Sequence, residues 1–325
     1  MKAKVLATSA IGCVLLFNGM AYAQGQSARA GNAALRYWMA FAMLREPTSD
    51  RATSELLERV VNGQASWDEE RLGKVLDANA AAMDLLTRGT ALGTCDWGLE
   101  YALGPSTPIA HLPKARVLGR LATLAGLRAA ARGRTQEAVD LWLSGIRFSM
   151  HVAQGDSLIS VLSARAILGA NMRALGQAAS AMRMDARESG RIATAIRSLP
   201  LTAFDWGAAI RREADSIDVM IRQLAGSPDP AAAYRRMVGV DAPSPFVLPT
   251  SGQMQSYRAL MDDVATTLQM PPAAARGRLS SHEQARLALH PLLRDSIPSL
   301  TRVNDTRAEI EAERQRLLSG IGQVR

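Results

Sequence analysis

An all-α fold of stacked antiparallel helical hairpins is predicted, on three observations. Alanine, leucine and arginine dominate the 325 residues, and Val, Ile and Thr seldom run consecutively. Apolar positions recur at helical spacing from Ala33 to the carboxyl end. Glycine, proline and short acidic or hydroxyl side chains punctuate that periodicity where helices would start and stop.

The first element is a leader. Lys2 and Lys4 precede an apolar run from Val5 to Phe17, and Ala21-Tyr22-Ala23 supplies small residues ahead of Gln24. Charge, apolar core and small-residue exit are what export machinery and its peptidase read, so residues 1–23 are a signal peptide with cleavage expected after Ala23. The run is shorter than the ~20 residues of a spanning helix. Cys13 lies inside it rather than at its end, which argues against lipid attachment there. No later stretch approaches eighteen uninterrupted apolar residues, so a soluble or peripheral protein in the periplasm or outside the cell is expected.

Helices are expected over 33–45, 51–62, 67–91, 113–132, 135–153, 157–180, 186–198, 203–225, 253–269 and 281–318. Asp50, Thr135, Asp156 and Asp205 are candidate amino-terminal caps, because their oxygens can accept from the unpaired amides of a first turn. Gly63, Gly133 and Gly226 are candidate stops. Three prolines make 104–113 a loop, and five make 227–252 a proline-rich linker between a helical-hairpin domain at 24–226 and a C-terminal helical region at 253–325. Pro291 and Pro298 should kink or split the last helix, whose end, Thr301 to Leu318, is charge-rich and reads as a solvated surface helix.

The formal charge of +8 includes Lys2 and Lys4, so the exported chain carries +6, nearly all from arginine. No run of adjacent basic residues marks an arm for nucleic acid. A weak anion-facing surface is expected at Arg116, Arg120, Arg128 and Arg132. Cys95 stands alone after the leader, which excludes an intramolecular disulfide and suits a small buried hydrophobe.

Residues 119–152 carry small Gly126, a turn at Gly133, then Ala138, Trp142 and Gly145 in a second helix. With those residues the segment resembles a tetratricopeptide repeat, the 34-residue helix-turn-helix of scaffold proteins. The resemblance implies two closely approaching helices with the tryptophan filling the gap. No second copy occurs one repeat length away.

Gly155-Asp156-Ser157-Leu158 matches the signature of the lipase and esterase family named for those letters. Helix is expected before it, and none of His111, His151, His282 or His290 has an aspartate three positions earlier, so no serine nucleophile is assigned. The four histidines have no ligand spacing, and neither a metal nor a cofactor is expected. Asp-Trp-Gly occurs at 96–98 and 205–207, each read as a capping aspartate with a packing tryptophan. Around the first copy, Asp96, Trp97, Glu100, Tyr101 and His111 place polar tips beside a proline-rich loop, a candidate binding site.

Helical phasing puts Arg165 near the centre of the Leu158, Val161, Leu162, Leu168, Met172 and Leu175 face, and Glu213 on the Trp206, Ile210, Ile217 and Ile221 face. A buried charge is costly unless paired, so Arg165 and Glu213 are expected to form a buried ion pair, with Asp96 or Glu100 sharing the guanidinium. The reading that follows is an exported helical scaffold presenting a groove to a protein or peptide, with no catalytic residue assigned. The alternative is an envelope hydrolase or glycan-modifying enzyme using Glu100, Glu213 or Asp96.

Overall fold

The computed structural model describes residues 31–45, 50–181, 184–243 and 245–322. The expected leader and its expected cleavage point lie outside them. The fold is all-α, with helices α1 (Ala33–Met43), α2 (Arg51–Val61), α3 (Glu69–Ala78) and α4 (Ala80–Thr90) preceding a 3-10 turn at Tyr101–Ser106. Then come α5 (His111–Ala131), α6 (Thr135–Ala153), α7 (Leu158–Ala181), α8 (Ala186–Arg197), α9 (Trp206–Ala225) and α10 (Pro230–Val238). The chain continues as α11 (Ser251–Thr267), α12 (Pro272–Ala285), α13 (Pro291–Ser296) and α14 (Leu300–Gly322). Among the described residues the one strand-like contact is an isolated parallel bridge between Asn32 and Thr94, which ties the start of α1 to the loop after α4.

Helices α5, α6 and α7 form the centre. Short turns at Arg132–Arg134 and Gln154–Ser157 join them, so successive helices run antiparallel and pack along their lengths. Small residues set the approach: a Cβ on Gly126 would lie 2.2 Å from Nε1 of Trp142, and one on Gly119 would lie 2.6 Å from Ile167. Trp142 is fully buried, and its indole donates to the Thr123 carbonyl at 3.2 Å. Over Leu158–Ala179, α7 is long and apolar enough to cross a membrane, yet 67% of its most apolar window is buried inside the protein. It is packed by α5, α6, α9 and α14.

The amino-terminal helices cover one side of this centre, α1 lying on α4. The expected helix over 67–91 is two, broken at Asn79. The Asn79 amide donates to the carbonyls of Val75 and Arg45 and accepts from the Arg45 amide, so the side chain competes for the helix backbone while tying down the end of α1.

The carboxyl-terminal helices cover the other side. The 227–252 stretch is more than a linker: it holds α10, capped by Asp229 and closed by Gly239 at φ +76°, with Tyr234 against Phe246. The expected 281–318 helix is divided at Pro291 and Pro298, since each proline removes an amide donor. Its last part, α14, is solvated on one face only, with Thr301, Asp305, Glu309 and Arg316 exposed. Leu300, Val303, Asn304, Arg307, Ile310, Leu317 and Ile321 form a buried stripe against α7 and α12.

Caps follow the expectations at Asp50 and Asp205, whose carboxylates accept first-turn amides. They depart at Thr135, which is the first helical residue, and at Asp156, which sits at φ +49° while the Leu158 amide is taken by Glu213. Gly63 and Gly133 are left-handed stops; Gly226 also ends its helix, but at φ −83° rather than in the left-handed region.

Candidate functional site

The loop before α5 decides the fate of the expected binding residues, and it separates them. Trp97 and His111 turn inward. Trp97 is buried, donates its indole N–H to the His151 carbonyl at 2.8 Å, and stacks on His111 with ring centroids 4.5 Å apart. Tyr37, from α1, meets Nδ1 of His151 at 2.6 Å and packs against Trp97 and Phe148. Burial holds both imidazoles neutral, lowering His111 and His151 to about 4, and pushes the Tyr37 hydroxyl far up. Tyr37 and His151 thus share one hydrogen bond between uncharged groups, its direction set by the imidazole tautomer. Among the described residues neither ring nitrogen of His111 has a hydrogen-bond partner.

Asp96 and Glu100 stay exposed on the loop. The Asp96 carboxylate accepts from the Gly98 amide at 2.9 Å, which is a loop turn rather than a helix cap, and its backbone is paired with the Asn32 side chain. Cys95 beside it is buried, and burial raises its thiol to about 12, so it is an inert core group.

Tyr101 faces a different hollow of about 160 Å³, which it lines with Pro105, Ile109, Ser157, Arg212 and Glu213. Arg212 lies over its ring, 4.1 Å from the centroid, and its hydroxyl donates to the Gly155 carbonyl. Gly104, at φ +59°, lets the 3-10 turn press on α9, where a Cβ would lie 2.8 Å from Val219. Ser157 bonds the Ser160 hydroxyl at 2.8 Å, so no base is poised on it.

The expected Arg165–Glu213 pair does not form. Arg165 leaves the α7 face at 40% side-chain exposure and pairs with Glu309 of α14. Glu213 is half-buried, and its carboxylate takes the Leu158 amide at 2.9 Å, capping α7. Burial raises the Glu213 pKa despite that bond. The large residues alone misled the phasing: Ala164, Ala174 and Ala178 are buried contact positions, while Leu162 is 41% exposed.

The buried cation is instead Arg307, fully enclosed. Its guanidinium donates to the carbonyls of Leu268 and Met270, both at 2.6 Å, and to Asn304 at 2.9 Å. It thus satisfies the open end of α11, and burial lowers it to about 10. A signal was available, since Arg307 falls four residues after Val303 and three before Ile310 on the apolar stripe.

The expected anion-facing arginines divide. Arg128 is clamped between Glu69 and Asp77 at 2.5 Å each, and Arg132 shares Glu69 at 2.7 Å. Those bonds hold Glu69 down at about 2. Arg116 and Arg120 point elsewhere, into a hollow of about 260 Å³ shared with Arg165 and Arg173. A wider, open hollow of about 730 Å³ lies between α6 and α8, with Leu143, Ile146 and Met150 along it and Arg147 and Arg191 beside them.

Helix α1 has a second apolar face. Tyr37 and Ala40 are buried, whereas Leu35, Trp38, Met39 and Met43, at spacings of three, four and eight from the first, are 39–49% exposed. Among the described residues no cluster of three or more His, Cys, Asp or Glu could hold a metal ion. No protein family, curated protein or solved structure matches the chain.

Proposed function

We propose that this protein is an exported, non-catalytic helical scaffold, tetratricopeptide-like over residues 119–152, that binds a protein partner through the outer face of α1. The observation that carries the reading is the exposed Leu35, Trp38, Met39 and Met43 stripe on a helix whose inner face is fully packed. Monomeric proteins rarely leave such a row in water, and tryptophan and methionine are enriched where proteins meet. The row has the spacing of a helix-packing seam, and exposed Arg36 stands within it, so the occupant is an amphipathic partner helix carrying a carboxylate. Trp38 is already fixed by edge contacts to Phe41, Trp97 and His111, which lowers the ordering cost of binding.

Capture from an envelope extract tests this with the parent, Met39→Asp, and Val247→Asp, the last altering an exposed apolar residue elsewhere. A partner retained by the parent and Val247→Asp but reduced about 10-fold by Met39→Asp is expected, a loss of about 1.4 kcal/mol. Equal capture by Met39→Asp, or none by the parent, overturns the reading. Self-association that Met39→Asp abolishes in sedimentation would make the occupant a second copy. For export, a periplasmic form beginning at Gln24 is expected by intact mass.

A hydrolase reading rests on Glu213, a carboxylic acid of raised pKa lining a hollow beside Ser157. The Glu213 bond to the Leu158 amide and the hydroxyl partner of Ser157 favour a structural role for both.

A further inference from the structure

A hollow lined by α5, α7 and the end of α2, without Arg128 among its residues, collects four guanidinium groups. Arg116 and Arg120 lie one turn apart on α5, and Arg165 and Arg173 lie two turns apart on α7 with Gly169 between them, leaving the floor low. The end of α2 closes the third side with Glu58 and Asn62, and Glu58 is the one acid in the lining.

The arginines are unequally neutralised. Arg120 holds Glu58 at 2.8 Å, and Arg165 is paired with Glu309 outside the hollow. Among the described residues Arg173 has only long contacts, 3.5 Å to Asn62 and 3.6 Å to Glu313. Arg116 is exposed and has no hydrogen-bond or ion-pair partner among the described residues. Glu313 is itself a weak counter-ion: burial raises its pKa, and its Oε1 lacks a hydrogen bond.

Four like charges around about 260 Å³ repel one another, and structural ion pairing leaves two of them with free donors. We propose that this hollow is a binding site for a phosphoryl group, gripped by Arg116 and Arg173 and steered by Arg120 and Arg165. A carboxylate offers one planar edge to one guanidinium fork. A tetrahedral phosphoryl group offers oxygens to forks from two helices at once, which is what these walls present. The volume is below that of drug-sized pockets and suits a single charged headgroup. That group is supplied either by a small phosphorylated solute or by an anionic lipid headgroup.

Titration calorimetry of the full chain with inorganic pyrophosphate, and co-sedimentation with phosphatidylcholine vesicles with and without phosphatidylglycerol, distinguish these sources. Binding in at least one arm is expected, weakening as salt rises and falling about 10-fold or more in Arg116→Gln and in Arg173→Gln, the scale of one charged hydrogen bond. Arg116 is exposed, so its replacement leaves the fold intact. Arg128→Gln, in the separate clamp, should bind like the parent. Absence of binding in both arms, undiminished binding by the two hollow variants, or an equal loss in Arg128→Gln would overturn the assignment.

Discussion

The Tyr37 hydroxyl shares a hydrogen bond with a neutral His151, and the stacked Trp97 and His111 lie beside that bond, all without charge. Both histidines sit at about 4 in the folded chain, against about 6.5 unfolded. As pH falls below about 6.5 the unfolded chain takes up protons first, so stability is lost between about 6.5 and 4, on the order of 3 kcal/mol for each imidazole. Replacing His111 by Phe keeps a ring on Trp97 and removes two unpaired nitrogens. We expect His111→Phe to match the parent or better at pH 7 and to flatten its acid slope, read as urea midpoints across that range. An unchanged slope would remove His111 from the account. At Arg307 the three acceptors need a fork, so Arg307→Lys should cost about 2 kcal/mol in denaturant unfolding, although the charge is kept.

At the scale of the element, the α5–α6 pair turns on glycine. Helix propensity favours alanine over glycine by about 1 kcal/mol, but a Cβ at Gly126 would lie 2.2 Å from the Trp142 indole. Crowding against a buried tryptophan outweighs propensity, so Gly126→Ala should destabilise by about 2 kcal/mol, seen as a lower melting temperature. A higher one would mean that the helices do not meet there. Helix starts at Asp50 and Asp205 and the division at Pro291 and Pro298 were legible because capping and proline act locally. The break at Asn79 was not: apolar periodicity runs through it, and what breaks the helix is a bond to Arg45, 34 residues away. Arg165 was misplaced because alanine faces pack as closely as leucine faces while adding little to an apolar pattern.

Across the whole molecule, α5, α6 and α7 make a centre, and helices from both ends of the chain close over it. The all-α class followed from composition and periodicity; the central place of α5, α6 and α7 did not. The loop between α4 and α5 has no periodicity to read, so the inward turn of Trp97 and His111, and the parting of Tyr101 from them, became visible only in three dimensions. The arginine hollow was half legible: Arg116 and Arg120 stood out by sequence proximity, while Arg165 and Arg173 join them only when α7 is laid against α5. Among the described residues nothing covers the outer face of α1, and its occupancy is the central claim. Site-specific photocrosslinking in intact cells tests it most directly, with a benzophenone amino acid at Met39 and, as a control, at Val247. A single protein adduct from position 39, with little from position 247, is the expected result; no adduct from 39, or equal adducts from both, would contradict it.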